Sequence, residues 1–318
     1  MLRFFHPAAA LMAHLRMGPK FLLGGVPVLL LLIALGVGVT QSLHERVRSI
    51  QSKRMAASLM ADLVEWNKVL IESRRITITG AAADPAVMAG FKTYAEVVNR
   101  KLAEIESHVA EAQRWFDMSK ETAGLRTGWT ELQSKIAALP QDAEFAQKAF
   151  AAHAPEYGRL YAFMRDMGNK SGMAQDPDAD LFYLGFPLAN NTPSTAGIAV
   201  RIAAYATLNV NRGEVSAKDK VFYEVTDARL NDTFSGVETM LSQSMKANPL
   251  VEKALADRFT TLKGQSKDLL AYVRKNFTGV DKITVTQQDV AQASQATIDA
   301  AWALVEGNRK VLDELLEQ

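Results

Sequence analysis

The chain has 318 residues, room for one to three domains, with 36 basic and 35 acidic side chains and a net charge of +1. That balance leaves no global field to recruit nucleic acid. Cysteine is absent, which removes disulfides, thiolate metal sites and thiol catalysis together, and fits a reducing compartment and a bacterial periplasm equally well.

Residues Phe21 to Thr40, FLLGGVPVLLLLIALGVGVT, carry no charge over 20 positions. At about 1.5 Å per residue, a helix of that length crosses the ~30 Å hydrocarbon core of a bilayer. Pro27 lies in its first third and does not disqualify it. A cleaved signal peptide is the rival reading, but its apolar core would be shorter, and Gly36-Val37-Gly38 is a poor cleavage site. The expectation is therefore an uncleaved anchor with a large polar body attached. Arg3, Arg16 and Lys20 precede the span and Arg46, Arg48, Lys53 and Arg54 follow it, so counting positive charges leaves its orientation tied. The cluster after the span is placed to touch lipid headgroups.

The remainder is rich in Ala and nearly free of alternating β-branched runs, which predicts an all-α body. Leu43, Val47 and Ile50, and after a phase slip near Lys53 Leu59, Leu63, Trp66 and Leu70, mark the apolar spacing of a helix from Gln41 to about Thr79. Asp84-Pro85 reads as the cap and first residue of the next helix, and Ser119 as the cap of a shorter one ending at Pro140. A fourth helix runs from about Asp142 to Gly168, with Phe145, Phe150, Tyr157, Leu160, Tyr161 and Met164 on its apolar side and Pro155 as a break or kink.

Asp176-Pro177 opens the next helix, which Asn190-Asn191-Thr192-Pro193 interrupts before a second piece from Ser194 to Asn211. Ser216 with Asp219, and Thr286 with Asp289, have capping-box spacing, and Asn248-Pro249 caps a helix between them. The last helix carries an unbroken seam: Ala291, Ser294, Ile298, Ala301, Val305, Asn308, Leu312 and Leu315. Gln318 falls inside that seam with no stop signal, so the helix reads as cut or continued.

About eight helices predict two stacked, mostly antiparallel four-helix-type bundles, residues 41–170 and 171–318. The first and last helices are expected side by side. No reaction machinery is legible. His108 and His153 stand apart, and there is no glycine-rich phosphate loop and no GxSxG elbow. The expectation is a non-enzyme with no catalytic residues, no metal and no cofactor.

Asp176, Asp178 and Asp180, followed by Phe182, Tyr183 and Phe186, have a plain reading as a helix start with core aromatics. The segment GMAQDPDADLFYLGFPLANNTP, with Arg201 and Asn211-Arg212-Gly213, nevertheless resembles the periplasmic sensor regions of bacterial methyl-accepting chemotaxis receptors and related sensor kinases. There the pattern is close to DPDxDSYYLMD followed by a leucine-arginine-proline step. Met245 to Pro249 and the Leu312 to Glu317 approach also look like that family, so the likeness extends over Gln41 to Gln318. Leu181 and Phe182 replace the usual small residue and tyrosine, and Asn190-Asn191 replaces the arginine-containing step.

The resemblance implies a homodimeric receptor in the bacterial inner membrane, with residues 1–20 a cytoplasmic tail, residues 41–318 in the periplasm and a small-molecule ligand. Its candidate contacts are the cations Arg74, Arg75, Arg201 and Arg212, with Asp176, Asp178 and Tyr183 as acceptors and an aromatic wall. An organic anion suits the arginines, because a guanidinium pairs bidentately with a carboxylate. A membrane-anchored helical module that docks a periplasmic protein is the alternative, as is the sensor of a histidine kinase or cyclic-dinucleotide enzyme.

Overall fold

The computed structural model describes residues 17–79, 85–142 and 144–317. Among them the fold is all-helical, about 90% helix with no strand. The chain divides into two compact units, Met1–Ile50 and Gln51–Gln318.

Helix α1 (Met17–Thr79) contributes to both units and continues through Pro27. In the first unit its apolar side chains face outward, with Leu29, Leu30, Leu31, Leu32 and Ile33 each more than half exposed. That stretch is long and apolar enough to cross a membrane.

The second unit holds the rest of α1, then α2 (Pro85–Ala112), α3 (Ser119–Ala138) and α4 (Phe145–Lys170). A 3-10 turn (Met173–Gln175) leads to α5 (Ala179–Phe186), a π turn (Pro187–Asn191), α6 (Thr192–Arg212), α7 (Ala217–Ala247) and α8 (Pro249–Val273). A second π turn (Arg274–Thr278) precedes α9 (Gln287–Glu317).

The capping boxes form as the spacing predicts. Ser216 and Asp219 exchange side-chain and backbone bonds at the start of α7, and Thr286 and Asp289 do so before α9. Asn248 accepts from Leu250 N–H at 3.0 Å. Other local readings need correction. Ser119 is the first helical residue, and its N–H is taken by Asp117 at 2.9 Å. Pro155 neither breaks nor ends α4. Asp176-Pro177 lies before α5, whose first residue is Ala179; the Asp176 carboxylate turns back to accept from Asp178 N–H at 2.9 Å. The Asn190-Asn191 step is a π turn joining α5 to α6, so the interruption is one widened turn and not a loop. The expected Asp84 cap lies outside the described residues.

Helix α1 is covered on more than its apolar seam. Leu59, Leu63, Trp66 and Leu70 are buried as expected, but so are Ser52, Lys53, Asn67, Ser73, Arg74 and Thr77. A narrow stripe through Gln51, Ser58, Glu65, Lys68 and Arg75 remains exposed. The earlier helices take one side: Trp66 meets Trp129 of α3 edge-on at 6.2 Å, and Ser73 reaches His153 of α4 at 3.3 Å.

The later helices meet α1 at both ends of the same stretch. Arg54 pairs with Asp313 and Glu317 of α9 at 2.8 and 2.7 Å, and Asn211 of α6 donates to the Ile78 carbonyl at 3.1 Å. The earlier and later helices therefore share α1 along its length. Within this unit the start of α1 and the end of α9 lie side by side, as the seams predict. Among the later helices, α6 and α8 each pack against both α7 and α9.

Two glycines separate close packing from open space. A methyl group at Gly185 in α5 would collide with the Met173 carbonyl, whereas at Gly124 in α3 nothing lies within 4 Å. Gly185→Ala is expected to cost about 1–3 kcal/mol in urea unfolding. Gly124→Ala should gain up to about 1 kcal/mol from helix propensity. Equal stability of the two variants would contradict this packing.

Candidate functional site

Polar residues enter the buried face of α1 where it meets α4, and Arg74 is their centre. The side chain is 4% exposed. Its guanidinium lies 3.9 Å from the centre of the Tyr157 ring and 5.1 Å from that of Phe150, both on α4. Such cation–π contacts offset part of the cost of burying the charge, by roughly 2 kcal/mol when desolvated. Nε and Nη1 have no hydrogen-bond partner, and no carboxylate pairs with Arg74 among the described residues. Burial lowers its pKa, and the charge of Arg201 adds to that lowering, against an opposing effect of Tyr157 and Tyr161. A guanidinium nevertheless stays charged in a protein.

Neighbouring groups are arranged around that cation. His153 is fully buried, with Nδ1 2.8 Å from the Ala149 carbonyl and Nε2 3.3 Å from Ser73 Oγ. A neutral ring donating from Nδ1 to that carbonyl leaves Nε2 to accept from the Ser73 hydroxyl. Burial, reinforced by the charge of Arg74, pushes the His153 pKa down to about 3. Asn67, two turns before Arg74 on α1, donates from Nδ2 to Tyr161 Oη at 3.2 Å. Tyr161 lies across α6 at Gly197, where any side chain would strike its hydroxyl.

Aromatic rings continue from this centre to α7. Phe150 contacts Tyr205 of α6 at 5.6 Å, Tyr205 stacks on Phe222 of α7 at 3.7 Å, and the Arg201 guanidinium lies 5.0 Å over Phe222. Burial lowers the pKa of Arg201, with Arg229 adding to the effect. Arg201 has no ion pair among the described residues. The Tyr205 hydroxyl donates to Asp219 at 2.7 Å, and its pKa is pushed up to about 12 by burial first and by Asp219 second.

Arg212 pairs with the other Asp219 oxygen at 2.7 Å and bonds Asn209. A cavity of about 110 Å³ opens beside it, lined in part by Tyr205, Asn209, Asn211 and Gln147. Among the described residues no three His, Asp or Glu side chains converge as a metal site requires.

Of the residues singled out from sequence, Arg74 is buried and Arg201 exposed, with the rings of Phe150, Tyr205 and Phe222 between them, and Arg212 meets the same series through Asp219 and Tyr205. Arg75 does not: it is exposed and pairs with Glu72 at 2.7 Å. Asp176, Asp178 and Tyr183 also lie elsewhere. Asp176 is buried against Lys53 near the start of the second unit, some 30 Å along α1 from Arg74 at helical rise. Asp178 is exposed and Tyr183 rests edge-on against Phe182 at 5.4 Å. Asn67, Ser73, Phe150, His153, Tyr157 and Tyr205 are the additions. Phe150 and Tyr157 were legible as apolar positions of α4, whereas Asn67 and Ser73 are polar residues set into the buried face of α1 that no apolar repeat announces.

The state of His153 makes stability depend on pH. An exposed imidazole protonates near 6.5, but folding holds this one neutral to about 3, so between those values the unfolded chain binds the extra proton. The His153 contribution is whole above about pH 6.5 and drains away as the pH falls toward 3. In chemical unfolding, His153→Gln is expected to flatten the loss of stability between pH 6 and 4, by up to about 1.4 kcal/mol per pH unit. Parallel curves for the two proteins would contradict the buried neutral imidazole. Comparison of the chain with family models, curated proteins and solved structures finds no match.

Proposed function

We propose that this chain is the extracytoplasmic sensing part of a membrane receptor of the chemotaxis type, which binds a small organic anion at Arg74. One observation carries the reading: a guanidinium 4% exposed, with two N–H groups lacking any acceptor and no carboxylate beside it. Leaving a charge buried and unpaired costs several kcal/mol, and a bound anion supplies what is missing.

Binding, not reaction, is what the surrounding groups favour. His153 has both nitrogens engaged inside the fold, and burial holds the Tyr157 and Tyr161 phenols further from ionisation than usual. Transmission follows from the placement of the cations on different helices. Arg74 on α1 and Arg201 on α6 repel each other. An anion on Arg74 relieves that repulsion and favours a closer packing of the two helices, which shifts the population between two arrangements. Helix α6 packs on α9, and the end of α9 holds Arg54 of α1, so a change at Arg74 reaches the start of the unit.

In this reading residues 21–40 anchor the chain in the inner membrane, the body lies in the periplasm as two four-helix groups about α1, and the receptor works as a homodimer.

The test uses the full chain in lipid nanodiscs. A panel of small carboxylates is expected to include at least one that raises the melting temperature. Arg74→Met should abolish that response while making the empty protein more stable, because it removes an unpaired buried charge. An Arg74→Met protein that is less stable when empty and still responds would overturn the proposal.

A further inference from the structure

One face of α7 carries Lys218, Val221, Phe222, Val225 and Arg229 at helical spacing. With Arg201 and Tyr205 of α6 it lines an open groove of about 290 Å³, close to the lower end of ordinary small-molecule sites at roughly 300 Å³. Two features set the groove apart. Among the described residues of the second unit, Val221 and Val225 are two of three large apolar side chains left exposed, at 56% and 50%. The cations beside them are also unanswered. Arg201, Lys218 and Arg229 form no ion pair among the described residues, and Arg201 and Arg229 repel each other. Nearby carboxylates of α7 are paired elsewhere, Asp219 with Arg212 and Asp227 with Arg274, and Glu224 is not part of the lining.

That lining selects its occupant. An apolar body takes Val221 and Val225 out of water, and a carboxylate answers the two arginines. A neutral ligand would leave the repulsion between the arginines as it is. The wall is aromatic as well: Tyr205 and Phe222 stack at 3.7 Å, and the Arg201 guanidinium lies 5.0 Å over Phe222. A flat ring in the groove therefore meets both ring edges and cations. A second copy of the chain fits worse, because a two-fold contact through this face sets its cations against their own images.

We infer that the groove between α6 and α7 binds a small aromatic carboxylate, its carboxylate held by Arg201 and Arg229 and its ring against Val221, Phe222 and Val225. The site is open to solvent and does not rest on the reading of Arg74.

Calorimetric titration of the full chain in phosphatidylcholine nanodiscs, with empty nanodiscs subtracted, compares benzoate, cyclohexanecarboxylate, acetate and benzyl alcohol. Benzoate is expected to bind at least tenfold more tightly than acetate or benzyl alcohol, and several-fold more tightly than cyclohexanecarboxylate. Arg229→Gln and Val225→Glu, both at exposed positions, should each weaken benzoate at least tenfold. Benzoate binding unchanged in both variants would place the ligand elsewhere, Arg74 included, and overturn the inference. Absence of benzoate binding would overturn it too, and leave Arg74 to its own test. Cyclohexanecarboxylate as tight as benzoate would overturn the aromatic assignment. If benzoate does not bind and Val225→Glu halves the number of chains per nanodisc, the face belongs to a second copy and the inference fails.

Discussion

Arg74 costs this fold free energy, and the way the fold bears that cost organises much of the second unit. A charge moved out of water loses hydration worth several kcal/mol, and the faces of Phe150 and Tyr157 return only part of it. Elsewhere the same helix handles a buried charge differently: Lys53 is matched by Asp176. The contrast on one helix is informative. At Lys53 the cation is paired, and at Arg74 it is left open. Buried groups kept unsatisfied against their local interest mark binding sites more often than structural ones.

The identity of the neighbours strengthens that distinction. His153 would add a second positive charge if it were protonated, but burial and Arg74 hold it neutral, so the cluster keeps one strong cation with Arg201 at a distance. Tyr205 belongs to two networks, touching Phe150 beside Arg74 and donating to Asp219, which also receives Arg212 and Ser216. Burial pushes the Asp219 carboxyl up, but those donors together hold it below the usual carboxylate range. The end of α6 and the start of α7 are thus pinned by a fixed anion, while Arg74, two aromatic rings away, has none.

Legibility in the sequence followed the range of the interaction. The Ser216–Asp219 and Thr286–Asp289 boxes were readable because both partners lie within one turn. The seam of α9 was readable because apolar spacing repeats, and its one polar member, Asn308, is buried and donates to the Leu184 carbonyl at 3.1 Å. Asp176 misled for the opposite reason. Its spacing fits a helix start, but Lys53, a partner distant in the chain, decides its position. On α1 the apolar seam was plain, whereas the burial of Asn67, Ser73 and Arg74 depends on helices far along the chain. Arg74, four residues after Leu70, continues the spacing of the seam and is buried, whereas Arg75 falls on the far side of the helix and pairs with Glu72.

The most direct test of an uncompensated cation is to see whether an anion goes there unprompted. Crystals of the protein soaked in sodium bromide should give an anomalous peak within hydrogen-bond distance of Arg74 Nε or Nη1, and that peak should be missing in Arg74→Met. Bromide at surface arginines alone, with the Arg74 nitrogens bonded to protein groups, would contradict the account.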